Sequence, residues 1–414
     1  MNQPKFCVKE VFPLFFAILI DVFGYGLVFP ILITMFTSNS SILPLNTSNE
    51  LRFWYLGIAF MLHPFFMFFG SSFMGDLSDK WGRKKVILIC MFGLAISFIC
   101  MGIGVLILSL TLLFIGRGLS GLMSASMPVV LATIADLSSE GNKAVHMSYV
   151  TLIQSIGFIL GPLMGGVLSD KDILWFFSFA LPFFVSAILS LAAFIWIYIS
   201  FKETFIKNEE KKIEFLRLFK NFYQAAQHKF IRILSIAFFL MQMAVAFYLQ
   251  LILIYYKEEF NYKSSTMGIF NAYLGVWFTV GLLFIIPYVS RHYAIEKVAL
   301  FFLFIAGLSE IAASFLSQQI SLWLIGIPLA ISIQVGFTAM LTSFSNAASK
   351  DQQGWAMGIT GALIALSFAI TGLSPNFVPY FGVRYLIFIG GILMLIATSF
   401  MLFYCRKSFL KLQK

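Results

Sequence analysis

Charge is what this chain has least of. Only 11% of its 414 residues are Asp, Glu, Lys or Arg, against about 25% in a soluble domain. Apolar residues make up 60%, and mean hydropathy is +0.92. No soluble fold has interior enough for that much apolar side chain, so much of it must face lipid. Cysteine is scarce too. Cys7, Cys90, Cys100 and Cys405 show no paired spacing, no C-x-x-C and no His/Cys cluster, which argues against a disulfide framework or a metal site. Catalytic patterns are missing as well: no HExxH, no Ser/His pair, no paired carboxylates and no GxxxxGK[ST]. An enzyme is not expected, nor a bound cofactor. The net charge of +10 would suggest nucleic acid in a soluble protein, but its distribution along this chain says otherwise.

Apolar stretches of about 20 residues recur from end to end. Their approximate limits are 11–36, 53–75, 86–105, 109–136, 144–168, 173–200, 230–256, 265–289, 295–316, 320–345, 353–374 and 382–405. Backbone groups in hydrocarbon must be satisfied within their own segment, so these read as helices; a barrel would show shorter, alternating segments. The first has Lys5 and Lys9 before it but no small-residue cleavage site, so it reads as an uncleaved span. The fold class is all-α integral membrane.

Lys and Arg give the orientation. With the N-terminus inside, the outer side receives only Arg52, Lys171, Lys257, Lys263 and Arg384. Arg117 lies within a span, and every other Lys and Arg falls on the inner side. Both termini are therefore expected in the cytoplasm. The longest polar break follows six spans and precedes six more. It divides the chain into 1–200, a basic linker 201–229 and 230–414, the linker reading as an amphipathic surface helix around Ile213, Leu216 and Phe219–Lys220. A faint internal echo lays Glu140 on Asp351 and Gly161 on Gly372. Paired bundles of this kind frame secondary transporters, with a site near the midplane between the halves.

After span two comes Gly75-Asp76-Leu77-Ser78-Asp79-Lys80-Trp81-Gly82-Arg83-Lys84-Lys85, expected to form a tight turn. An inner-surface anchor explains its Lys and Arg, but neither Asp79 nor the Gly75/Gly82 pair. The stretch resembles the loop 2–3 pattern G-x-L-x-D-x-x-G-R-[KR] of the major facilitator superfamily, and the 6+6 layout extends the resemblance over the chain. The resemblance implies that Asp79 lies near the start of span eleven, where a helix N-terminus favours negative charge. It also implies that Arg83 pairs with Asp136 at the inner end of span four, so that the three form a latch.

Span five carries Gly157, Gly161, Gly165 and Gly166 with Pro162. The first three fall on one helix face and permit close backbone approach, and Pro162 should bend the helix. Tight packing alone would account for the glycines. The string also resembles the span-five pattern of the superfamily's proton-coupled antiporters, where it shapes the contact with the other half. In span one, Asp21-Val22-Phe23-Gly24-Tyr25-Gly26-Leu27-Val28-Phe29-Pro30 is similar to the tetracycline-exporter branch.

Asp21 lies about ten residues inside, roughly 15 Å along the helix. An acid that takes up and releases a proton while facing a cavity is what a proton-driven carrier needs. The alternative is a structural pair with Arg117. A guanidinium inside a span costs roughly 2.5–3.5 kcal/mol or more, so Arg117, in a G-R-x(3)-G pattern similar to the superfamily's span four, is expected to serve proton transfer or to set the charge state of Asp21. Glu310 in span nine reads equally as a structural contact or a coupling group. His63 is either a packed histidine or a proton relay, since imidazole exchanges its proton near neutrality. Gln154, Gln242, Gln250, Asn271 and Gln334 read as helix–helix contacts or, with Tyr25, Tyr248 and Trp277, as candidate cavity lining.

The reading is a secondary transporter of a bacterial inner membrane, functional as a monomer. It exchanges protons for an organic solute, either a drug-like compound or a secreted metabolite such as a siderophore. Uptake of a nutrient or ferric chelate is the alternative, and a transport-dead sensor is the reading from another class. Small solute, proton and lipid are the expected partners; nucleic acid is not.

Overall fold

The computed structural model describes residues 8–37, 42–124, 126–138, 143–203, 217–348 and 352–412. Lys5, Cys7, Glu140, Lys350, Asp351 and the linker stretch 204–216, including Ile213 and Leu216, lie outside them. Among the described residues there is no strand. Twelve helical segments are long and apolar enough to cross a membrane. Spans one to six are Val11–Thr37, Asn49–Trp81, Arg83–Leu106, Leu110–Ile134, His146–Leu168 and Leu181–Ser200. Spans seven to twelve are Lys229–Phe260, Ser264–His292, Ile295–Phe315, Gln319–Ala347, Trp355–Phe381 and Val383–Lys407. Each expected span is present, with moved ends.

The largest shifts have local causes. Span six was expected from residue 173, but Lys171–Ala180 turns outside the helix and leaves Trp175 87% exposed. Pro182 then opens the span in its first turn, where its missing N–H removes no helical bond. Span two runs on to Trp81, so Gly75–Trp81 is helix and not the expected loop. The turn narrows to Gly82, whose φ of +99° only glycine adopts freely. Asn261, with φ +50°, closes span seven in a left-handed cap.

Four spans are irregular. Span one breaks at Leu27, between helices Val8–Gly26 and Val28–Thr37. Span four breaks between Leu110–Met123 and Ser126–Asp136. Span eight contains a π turn at Gly281–Ile285. Span eleven ends in a 3₁₀ turn, Ser374–Phe377, followed by Val378–Phe381. Span five continues as helix through Pro162.

The chain packs as two compact units. The first comprises Met1–Ser48, Leu62–Phe215 and Tyr262–Ala272. In it, span three packs on spans four and six, and span one on spans five and six. The second comprises Asn49–Met61, Leu216–Asn261 and Tyr273–Lys414. There, span seven packs on ten, eleven and twelve, and span nine on ten and twelve. Each unit thus includes a short segment from the far side of the central linker. Of that linker, Arg217–Gln227 is helical, with Ala225 buried and Tyr223 exposed.

Candidate functional site

In the first unit, Asp21 is buried at the level of the span-four break. Ser126 donates to its Oδ2 at 2.9 Å, and Ser124 stands beside it outside hydrogen-bond geometry. Ser124 caps the end of helix Leu110–Met123, and Ser126 begins helix Ser126–Asp136. The sequence left a structural pair with Arg117 as the alternative to a proton site; the hydrogen-bond partner present is the Ser126 hydroxyl.

Arg117 lies elsewhere in the unit and is 1% exposed, which excludes snorkelling to the surface. It lies within electrostatic reach of Tyr25 and His63. The His63 Nδ1 and Ser120 Oγ are 2.9 Å apart, and Ser120 Oγ donates to the Arg117 carbonyl at 2.8 Å. Ser120 thus links the imidazole to the backbone of span four. Tyr25 packs against the imidazole with ring centroids 5.0 Å apart. A Cβ at Gly121 would meet the His63 carbonyl oxygen at 2.0 Å, so glycine lets spans two and four close on this cluster.

The span-five glycines find a partner the sequence did not name. A Cβ at Gly157, Gly161 or Gly165 would meet the carbonyl oxygens of Leu19, Phe23 and Leu27 at 3.1, 2.5 and 2.2 Å. Both series step by four residues, so the two helices run backbone to backbone beside Asp21. The glycine face therefore belongs chiefly to span one. Gly166 instead meets span eight: its Cβ would lie 2.3 Å from the Ser264 carbonyl oxygen, and a Cβ at Gly268 would lie 2.3 Å from that of Pro162. Polar ties surround this crossing. Ser169 Oγ donates to Ser264 Oγ at 2.8 Å, Ser265 Oγ to Asp170 at 2.5 Å, and Lys263 Nζ to Asp172 at 2.5 Å. The Asp172 carboxylate holds Lys263 above the usual lysine range.

Asp79, Arg83 and Asp136 come together as expected. The Arg83 guanidinium lies 2.8 Å from Asp79 and 3.4 Å from Asp136, and donates to Ser78 Oγ at 2.6 Å. Gly75 is not required sterically, because a Cβ there meets open space. Glu203, absent from the expected set, also reaches this turn. Its carboxylate accepts from the backbone N–H of Arg83 at 3.0 Å and of Lys84 at 3.1 Å. A single acid three residues beyond an apolar run gave too slight a signal to find it.

Glu310, in the second unit, is fully buried. Neither carboxylate oxygen has a hydrogen-bond partner, and Gly390 of span twelve leaves the room it occupies, since a Cβ there would fall 2.2 Å from Oε1. Tyr25, Gln154 and Asn271 lie in the first unit; Gln242, Tyr248, Gln250, Trp277 and Gln334 lie in the second. Gln242, Tyr248, Gln250 and Asn271 are buried. Gln154 reaches Met127 Sδ at 3.9 Å, Gln334 reaches Thr338 Oγ1 at 3.5 Å, and Trp277 packs on Tyr273 with ring centroids 6.2 Å apart.

The profile of the Major Facilitator Superfamily matches residues 14–372. The class G tetracycline resistance protein of Vibrio anguillarum is 27% identical over 358 residues, covering 84% of each chain. The quinolone resistance protein NorA of Staphylococcus aureus is 32% identical over 189 residues, 45% of this chain and 44% of that one. Among solved structures, a D-xylose–proton symporter superposes with a TM-score of 0.74 at 13% identity, covering 95% of this chain and 96% of the other. The human organic anion transporter MFSD10 gives 0.70 at 18% identity, with 95% and 99% covered.

Proposed function

The chain belongs to the Major Facilitator Superfamily, and from that premise we propose that it is a proton-coupled antiporter exporting a drug-like organic solute. It is a membrane transporter; its direction, coupling ion and cargo are the proposal. The observation that carries the coupling is Asp21, an acid buried in span one with the Ser126 hydroxyl of span four on its carboxylate. A carboxyl there exchanges its proton without stranding a polar partner in hydrocarbon, because the serine hydroxyls rotate between donating and accepting.

Around Asp21 the parts take complementary roles. Arg117 and His63 supply a further polar cluster in the same unit, with His63 as a candidate proton relay. Glu310 is a secondary coupling candidate. The glycine face of span five keeps span one close. Asp79, Arg83 and Asp136 form the conformational latch. Tyr25, Gln154, Gln242, Tyr248, Gln250, Asn271, Trp277 and Gln334 are the side chains offered to the solute. The Lys and Arg distribution supports cytoplasmic termini, and the bacterial resistance relatives support an inner-membrane location and efflux. One chain suffices for the activity, with no nucleic acid or bound cofactor involved.

Purified protein in proteoliposomes with an imposed pH gradient tests this, using labelled tetracycline, a quinolone and a ferric siderophore as the panel. The expected result is movement of at least one of the first two against the proton flow, lost in Asp21→Asn. Co-directional movement of solute and proton would make it a symporter, and siderophore flux alone would change the cargo class. Wild-type rate and pH dependence in Asp21→Asn would remove Asp21 as the proton site.

A further inference from the structure

Gly82 opens span three and has no side chain to cap it. The first amides of a helix need acceptors, and Glu203 supplies them from 120 residues away, its Oε1 on Arg83 N–H and its Oε2 on Lys84 N–H. A carboxylate at a helix N-terminus is also favoured by the helix dipole. Gly82 is shaped to admit it: a Cβ there would lie 2.3 Å from Glu203 Oε2. Lys84 reinforces the attachment, donating to the Tyr198 carbonyl at 2.9 Å and lying over the Tyr198 ring at 5.7 Å. The end of span six and the first residues of the central linker are therefore docked on the turn that presents Arg83.

Arg83 is held at both ends. Asp79, Ser78 and Asp136 fix its guanidinium, and Glu203 fixes its backbone. We infer that Glu203 is a positioning residue for the Asp79–Arg83–Asp136 latch, setting the register of Arg83 and tying that register to the start of the central linker. A shift of the linker at Glu203 moves the Arg83 backbone and with it the guanidinium. The assignment of turnover to the latch rests on the transport reading above; the geometry of the attachment does not.

The test uses the full-length protein in proteoliposomes with two unlike lesions. Glu203→Gln keeps size but weakens one acceptor, and Gly82→Ala drives a methyl into the carboxylate. Phenylglyoxal labelling of Arg83 and hydrogen exchange of the Arg83 and Lys84 amides are read by mass spectrometry, with buried Arg117 as the control for global loosening. Both variants should raise Arg83 labelling and amide exchange about tenfold, the scale of a lost helix cap, while Arg117 stays unreactive. With tetracycline as probe, turnover should fall while apparent KM holds. Unchanged Arg83 labelling overturns the inference, as does labelling of Arg117 in step with Arg83, or a rise in KM at constant turnover. Should the wild-type protein transport no probe, the transport reading fails, and the labelling result still decides this one.

Discussion

Asp21 and Glu310 are both acids sunk in spans, yet their surroundings differ in kind. Asp21 faces span four where helix Leu110–Met123 ends and helix Ser126–Asp136 begins, with Ser126 bonded to its carboxylate. Glu310 sits in an unbroken helix against Gly390, with neither oxygen hydrogen-bonded. A proton-transfer group must be served in both of its charge states. The Ser126 hydroxyl provides that at Asp21; at Glu310 the Tyr248 phenol is within electrostatic reach, but no hydrogen bond to the carboxylate is formed. Burial alone therefore fails to mark a coupling site, and the donors around the acid discriminate better.

The strongest way to break this contrast is paired neutralisation. Asp21→Asn should cut gradient-driven flux at least about a hundredfold, the usual scale of a lost acid–base group, and Glu310→Gln should cut it far less. The reverse order would make Glu310 the coupling acid. Replacing Glu310 by Met sharpens the same point. Removing a buried polar group without a partner should stabilise the protein by about 1–3 kcal/mol, seen as a raised thermal midpoint; a lowered midpoint would mean the carboxyl holds its helix in place.

Gly161→Leu tests the support beneath Asp21. Its side chain would be forced against the Phe23 carbonyl, and overpacking of this sort costs about 1–3 kcal/mol or more. Gly75→Ala, facing open space, should leave the midpoint unchanged. Equal losses in the two would refute the backbone-to-backbone packing. Ser120→Ala should lower flux moderately by removing the hydroxyl on His63 Nδ1, with the pH profile of flux shifted; an unaltered profile would leave His63 a packed ring. The smallest effect belongs to Lys263→Met. The exposed pair with Asp172 raises the lysine's value, so its contribution is complete through neutral pH and fades only as pH climbs through that raised value. Stability scans from pH 6 to about pH 9 should therefore be flat with or without Lys263.

The spans were legible because lipid imposes one strong rule on every one of them, length and apolarity together. Arg83 and its two acids were legible because their spacing resembles a known pattern. What stayed hidden depends on which way side chains rotate. Gly157, Gly161 and Gly165 announced a close approach without naming Leu19, Phe23 and Leu27 as its target. Asp21 left Arg117 open as a structural partner, whereas the hydroxyl bonded to it comes from Ser126 at the start of the second helix of span four. Glu203 acts across 120 residues, a distance over which no local pattern carries information.

The π turn at Gly281–Ile285 has a consequence for chain length. A wide turn of this type holds one residue more than the α-helix that would bridge the same gap. Removing a residue within it would let the ladder close into regular helix, leaving Tyr273 and Trp277 before the turn, and Arg291 after it, on their present faces. The same deletion in an ordinary stretch of span eight would rotate everything beyond it by about 100°, one residue's share of a 3.6-residue turn. Span eight is thus tolerant to shortening at its widest point and intolerant a few residues away.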